Sequence, residues 1–116
     1  MINSYKDLIV WQKAMDLVEE VYNITSSFPK TEVYGLTSQM RRSAVSIPSN
    51  IAEGRNRGSK KDYRRFIFMS RGSGAELQTQ IEIAKRLNFK DVNYTKVEDL
   101  LEEVMKMLNK MGTNLS

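Results

Sequence analysis

Apolar side chains recur every three or four residues along most of this chain, and few residues interrupt that spacing. Only two prolines and six glycines occur among 116 residues. Steps of three and four place side chains on one face of an α-helix, and most of the remaining residues favour helices over strands. The pattern therefore predicts an all-α protein.

Turn signals divide the pattern into four helical segments. The first is capped by Ser4 and runs to about Ser26, because Phe28 precedes a proline and is pushed out of the helical region. The turns that follow are expected at Gly54 to Ser59 and at Asn88 to Asn93. The other predicted helices run from a cap at Thr31 to about Glu53, from a cap at Ser59 to Leu87, and from Tyr94, with Asn93 or Thr95 as cap, to Lys110.

Short connections between helices are typical of an up-down-up-down antiparallel four-helix bundle. The length suits one hydrophobic core, so we expect residues 1–116 to form a single domain. Pro48 lies inside the second helix and predicts a kink there. The small residues from Gly72 to Ala75 would let another helix approach closely, with Pro48 as the expected partner, although a helix break at Gly72 is the alternative.

The apolar faces of the first and fourth helices are wider than the interior of one bundle requires. Leu100 and Met107, for example, lie outside the main apolar stripe of the fourth helix. Such residues would be buried between subunits, so the sequence predicts an oligomer.

The chain contains no cysteine and no histidine. Zinc sites of the usual kind, cysteine nucleophiles, catalytic triads and histidine acid–base chemistry are therefore excluded. Paired carboxylates such as Glu53 and Glu76 more often join arginines in a structural network, so we expect neither an enzyme nor a cofactor. The N-terminal sequence does not resemble a signal peptide, and no apolar run reaches the roughly 18 residues of a membrane span, so a cytoplasmic protein with no membrane contact is expected.

Positive charge is concentrated between Gly35 and Arg71, where nine lysines and arginines face two acidic residues, a local net charge of +7 against +4 for the whole chain. Such a field attracts phosphate backbones with little dependence on sequence. A solvated surface that binds nothing is the alternative. Tyr63 could stack on a base but also begins the apolar side of the third helix, which favours a core position. The densest part, which we call the cationic cluster, consists of Arg55, Arg57, Lys60, Lys61, Arg64 and Arg65.

A polar stripe runs beside the apolar face of the second helix. It is either a solvated flank or a hydrogen-bonded network within the bundle or between subunits. In the network hypothesis, Glu53 and Arg71 form a partly buried charged pair. The stripe and its expected partners on the third helix are Gln39, Arg42, Ser46, Asn50, Glu53, Arg71 and Glu76.

Several motifs together resemble the bacterial proteins encoded in intervening sequences of 23S rRNA genes, and the similarity covers roughly residues 5–110. The string at 46–54 is long enough to be specific. The motifs are Leu8-x-x-Trp11-x-x-Ala14, Phe28-Pro29, Gly35-Leu36-Thr37-x-Gln39-x-x-Arg42, Ser46-Ile47-Pro48-x-Asn50-x-x-Glu53-Gly54 and Arg71-Gly72-Ser73-x-x-Glu76.

This resemblance implies a four-helix bundle that assembles as a homopentamer around a central axis. The accessory variability protein of diversity-generating retroelements is similar; it partners a reverse transcriptase and uses a basic surface toward nucleic acid. Residues and resemblance together predict a non-enzymatic, oligomeric accessory protein that binds RNA, DNA or an RNA–protein complex through the cationic cluster. The alternative is a protein–protein interaction scaffold with no direct role in nucleic-acid binding.

Overall fold

The computed structural model describes residues 4–115, and these form an all-α structure, as predicted. Two short 3-10 helices, Tyr5–Asp7 and Lys30–Glu32, precede the first and second long helices. The long helices are α1 (Ile9–Thr25), α2 (Leu36–Asn56), α3 (Lys60–Leu87) and α4 (Thr95–Asn114).

The long helices pack in a closed order, α1 against α2 and α4, and α3 against α2 and α4. The hydroxyl of Ser70 donates to the carbonyl of Ile47 at 2.9 Å, while Gly54 lies against Phe66. Residue numbers thus fall along α3 as they rise along α2, so these two helices are antiparallel. The contacts of α4 with its two neighbours are antiparallel as well. Between α3 and α4, Gly74 lies against Met105 and Lys85 pairs with Glu98. Between α1 and α4, Glu20 pairs with Lys96 and Lys13 with Glu103.

These registers agree with the predicted up-down-up-down order. The described residues extend 44 × 22 × 20 Å, and a helix of 28 residues such as α3 is about 42 Å long. Each helix therefore lies along the long axis, and the connections lie at the two ends. None of these helices combines the length and apolar character that crossing a lipid bilayer would require.

One hydrophobic core connects all four helices. On α4, the stripe predicted from helical spacing is buried at Val97, Leu101, Val104 and Leu108 and partly buried at its last member, Met111. On α1, the stripe that begins at Val10 is buried, and the one that includes Met15 and Tyr22 is partly exposed. Leu100 and Met107 are partly covered by the core of their own chain. Large apolar side chains are instead exposed elsewhere, including Ile9, Tyr22, Val33, Tyr34, Val45, Phe68, Met69, Ile83 and Leu87.

The starts of the first two helices differ from the prediction. Ser4 does cap a helical turn, but that turn is the first 3-10 helix, and α1 begins at Ile9. Thr31 as a cap is wrong, because it lies in the second 3-10 helix. The carboxylate of Glu32 instead accepts a hydrogen bond of 3.2 Å from the backbone N–H of Leu36, where α2 begins.

Neither Pro48 nor the glycines of α3 stop their helices. α2 continues through Pro48, which is buried, and α3 continues through Gly72, so the alternative of a break is wrong. Within the small-residue run, Gly74 lies against α4, where an added Cβ would overlap the Sδ atom of Met105, and Ser73 lines a groove with residues of α2. Close packing at Gly74 depends on the missing side chain.

The later turns are close to their predicted positions. α2 extends past Gly54 to Asn56, so the turn is limited to 57–59, and Gly58 takes a positive φ of 86°. The Ser59 hydroxyl caps α3 by accepting a hydrogen bond from the N–H of Asp62. The predicted cap of α4 at Asn93 or Thr95 is wrong, because Tyr94 is the N-cap, although the Asn93 side chain accepts a hydrogen bond from the N–H of Thr95. α4 continues four residues beyond Lys110.

Candidate nucleic-acid interface

The cationic cluster lies at one end of the bundle, around the turn that joins α2 to α3. Arg55 occupies the last turn of α2, Arg57 the connection, and the other four members the first two turns of α3. All members except Arg64 are exposed. The tight turn at Gly58 and the cap at Ser59 therefore bring six cations from two helices and their connection to one end of the bundle.

A close approach of the two helices holds this turn in place. A Cβ on Gly54 would lie 2.7 Å from the Cβ of Phe66 and 3.2 Å from the Cδ1 of Tyr63. Tyr63 packs against the core, as its position at the start of the apolar side favoured. Burial raises the pKa of Tyr63, and the positive charge of Arg55 opposes that rise.

Two arginines of the cluster lie over one aromatic ring. The Cζ atoms of Arg57 and Arg65 are 5.0 and 4.8 Å from the centroid of Phe66, whose side chain is otherwise buried. Cations at this distance are attracted to the face of the ring. Arg57 also pairs with Glu53 at 3.5 Å, although both side chains are about half exposed, where such pairs contribute little. The ring is thus a shared contact for two guanidinium groups beside the turn.

A second aromatic ring has the same arrangement but is exposed. Phe68 is 38% exposed, and the Cζ atoms of Arg64 and Arg71 lie 4.5 and 5.0 Å from its centroid. The surface beside it is a groove of about 510 Å³. Its lining residues are Lys61, Asp62, Arg64, Arg65, Phe68 and Met69.

The expected pair of Glu53 with Arg71 does not form in the chain. Arg71 follows Ser70, which contacts α2 at Ile47, six residues before Glu53 and about 9 Å away along the helix. Arg71 lies instead over Phe68, near Gly112 of α4. The helix register thus separates two residues that the sequence pattern suggested were partners.

Most of the remaining members of the polar stripe line a groove between α2 and α3, whereas Asn50 lines a different groove beside α2. Gln39, Arg42 and Glu76 are exposed and face this groove of about 400 Å³. Asn50 donates a hydrogen bond of 2.9 Å to the carbonyl of Ser46 within α2 itself. In the chain, the solvated-flank interpretation therefore describes this stripe better than a buried network does.

The two carboxylates considered for catalysis are also far apart. Glu76 faces the groove with Arg42, and Arg42 precedes Glu53 by eleven residues, about 16 Å of helix. Within residues 4–115, no group of three or more acidic side chains is arranged to hold a metal ion. The arrangement that stands out at this end of the molecule is thus one of cations on aromatic rings.

Sequence reasoning found the six cations but missed the two rings, Phe66 and Phe68, that lie against three of them. Arg64, Phe68 and Arg71 are spaced by four and three residues, which places them on one helix face, and this spacing was a usable signal. The contact of Arg57 with Phe66 crosses a turn, so only the fold reveals it.

A family model described as 23S rRNA-intervening sequence protein matches residues 6–110 of the chain. No curated protein shows a significant match.

Proposed function

The chain belongs to the 23S rRNA-intervening sequence protein family, and on that basis we propose that it is a non-enzymatic, oligomeric accessory protein that binds nucleic acid, either RNA or an RNA–protein complex. The observation that carries the proposal is the convergence of six cations on one turn, with two of their guanidinium groups held over Phe66. The family description, which refers to a 23S rRNA intervening sequence, agrees with a role close to RNA.

Phosphate groups are the proposed contacts of the cationic cluster. Lys60 and Lys61 would act as point charges, while Arg57 and Arg65 present planar forks that suit phosphate oxygens. Such contacts position a nucleic acid but read no sequence, so binding should depend on salt much more than on sequence.

The proposal includes a homopentamer, which comes from the family resemblance. Five copies of one cationic cluster on a ring would bind a polyanion with avidity, since each further contact becomes intramolecular. A protein partner such as a reverse transcriptase, and a cytoplasmic location where RNA is present, belong to the same proposal.

The test is to measure binding of RNA and DNA at increasing salt and to repeat it with Arg55, Arg57, Lys60 and Lys61 changed together to Glu. We expect the parent protein to bind at low salt with a slope of log K against log salt of about −0.7 per phosphate contact on single strands. The fourfold variant should lose binding while keeping its helicity and its oligomeric mass, because all four side chains are exposed around a turn.

A charge-matched control separates a site from a general effect of net charge. Changing four exposed lysines outside the cluster to Glu alters the net charge by the same amount and should leave most binding intact. If the cluster variant binds as tightly as the parent, the proposed site is wrong. The control lysines are Lys30, Lys90, Lys106 and Lys110.

The second candidate is a protein-interaction scaffold, and one observation favours it. Tyr22, Val33 and Val45 are each at least two-fifths exposed and line a groove of about 570 Å³ between α1 and α2. Exposed apolar surface of this kind is typical of a protein contact. This candidate gains support if the parent binds no RNA or DNA even at low salt.

A further inference from the structure

Phe68 is an aromatic residue that the fold leaves at the surface. It lies in α3, yet 38% of it is exposed, and its neighbour Met69 is 46% exposed. Phe66, two residues earlier, is only 7% exposed and serves the packing of α2 against α3. The core therefore accounts for Phe66 but leaves part of the Phe68 ring in contact with water.

The two guanidinium groups at Phe68 lie on the ring instead of pairing with carboxylates. The Arg64 Cζ is 4.5 Å and the Arg71 Cζ 5.0 Å from the ring centroid. The Nε of Arg64 is buried and has no hydrogen-bond partner among the described residues, while its guanidinium lies over the ring. A guanidinium that covers an aromatic ring is itself a flat surface on which a second planar group can stack.

Phosphate-binding cations lie on the same helix face. Lys61, Arg65 and Phe68 are spaced by four and three residues and line one groove of about 510 Å³. From Lys61 to Phe68 the helix rises about 10 Å, so a strand whose phosphates contact the two cations would bring a base to the ring. Backbone-binding cations beside a stacking surface are the usual components of a site for single-stranded nucleic acid.

We propose that the Phe68 groove stacks an unpaired nucleobase, so that this surface selects single-stranded over double-stranded nucleic acid. The inference rests on the proposed function and names the class of nucleic acid that the site takes. In a duplex the faces of the bases are covered by their neighbours, whereas an unpaired base can be turned out and stacked. RNA and DNA strands share this chemistry, because every base has a π-face.

Charge alone predicts the opposite preference, which makes the inference testable. A duplex carries the denser charge and releases more counterion per contact, about 0.9 against about 0.7 for a single strand. A purely electrostatic surface should therefore bind the duplex at least as tightly. The experiment titrates the full chain with a labelled oligoadenylate, in RNA and DNA forms, free and annealed to the complementary strand.

We expect the parent to bind both free strands more tightly than the duplexes. Phe68→Leu should weaken single-strand binding roughly tenfold, the effect of one lost stacking contact, and leave duplex binding unchanged. A variant with Arg64→Lys and Arg71→Lys keeps every charge but loses the planar groups, and should show the same loss with an unchanged salt slope. The control is Tyr34→Leu, since Tyr34 is 96% exposed and lies outside the groove.

The outcomes separate this inference from the function on which it rests. Equal or tighter binding of the duplex overturns the inference and leaves binding through charge intact. A single-strand preference that persists in Phe68→Leu, with helicity and melting temperature unchanged, overturns it as well. If the parent binds neither form at low salt, the proposed function and the inference are both wrong.

Discussion

Two glycines in helices of this chain have opposite roles. Gly54 is where α2 meets α3: a Cβ there would lie 2.7 Å from the Cβ of Phe66 and 3.3 Å from the backbone oxygen of Tyr63. Neither neighbouring atom belongs to the flexible end of a side chain. Gly72, in the middle of α3, has nothing within 4 Å of its Cβ position. The first glycine is required by packing, and the second is not.

We expect Gly54→Ala to destabilise the protein by about 1–3 kcal/mol, because forced separation of the helices outweighs the better helix propensity of alanine. Gly72→Ala is the matched control and should stabilise by up to about 1 kcal/mol, since it gains propensity without a clash. Chemical denaturation of both variants measures the difference. A Gly54→Ala protein as stable as Gly72→Ala would show that the helices separate at little cost.

The pairing of α2 with α3 also includes a buried polar contact. Ser70 is completely buried, and its hydroxyl donates to the carbonyl of Ile47, directly before Pro48. Thr79, in the same helix, is exposed and donates only to the carbonyl of Ala75 one turn earlier. The Ser70 hydroxyl therefore joins α3 to α2, whereas the Thr79 hydroxyl bonds within α3.

Ser70→Ala should therefore lower the free energy of unfolding by about 1 kcal/mol, the net contribution of a typical hydrogen bond. Ser70→Val adds overpacking and should cost a further 1–3 kcal/mol or so. Thr79→Ala should change stability by less than about 0.5 kcal/mol. Equal effects of Ser70→Ala and Thr79→Ala in thermal unfolding would contradict a role for this contact between elements.

The sequence predicted elements better than contacts between elements. The apolar stripe of α4 and the cap at Ser59 were predicted from the sequence because spacing and capping are local properties. The start of α2 was missed because its N-cap is Gly35, and the carboxylate of Glu32, not the hydroxyl of Thr31, accepts the hydrogen bond from the first N–H of that helix. The predicted pair of Glu53 with Arg71 was wrong, because pairing depends on the register between helices, which periodicity along one helix does not specify.

The same limit applies to the candidate site. Its six cations lie within eleven residues of sequence and were found from charge alone. The contact of Arg57 with Phe66, in contrast, forms only because the turn folds back. The exposure of individual apolar side chains could not be predicted from the sequence either. Leu100 and Met107 were expected at a subunit contact, but the core of their own chain partly covers them. Whether an apolar residue beside a helix seam is covered depends on the side chains of the neighbouring helix.

At the scale of the whole molecule, the groove between α1 and α2 exposes apolar side chains, and we expect copies of the chain to meet there. Val45 is 40% exposed and lines the groove between α1 and α2. Burying such surface contributes about 25 cal/mol per Å², which favours association over exposure. We expect sedimentation equilibrium to give a mass near five chains, and Val45→Asp to lower that mass with unchanged helicity. A parent protein that stays monomeric at micromolar concentration contradicts the pentamer.

The same variant also measures how much assembly contributes to nucleic-acid binding. Val45→Asp leaves all six cations of the cluster in place, so each copy should retain its contacts while the avidity of the ring is lost. Because linked sites exceed single-site affinity by about 10²- to 10⁴-fold, RNA binding by the variant should weaken by a factor in that range, with a shallower dependence on salt. Ile83→Asp is the control, since Ile83 is 45% exposed on α3 and lies outside that groove, so its change should alter neither mass nor affinity. Undiminished RNA binding by a monomeric Val45→Asp protein would mean that a single cluster is sufficient and that the ring contributes no avidity.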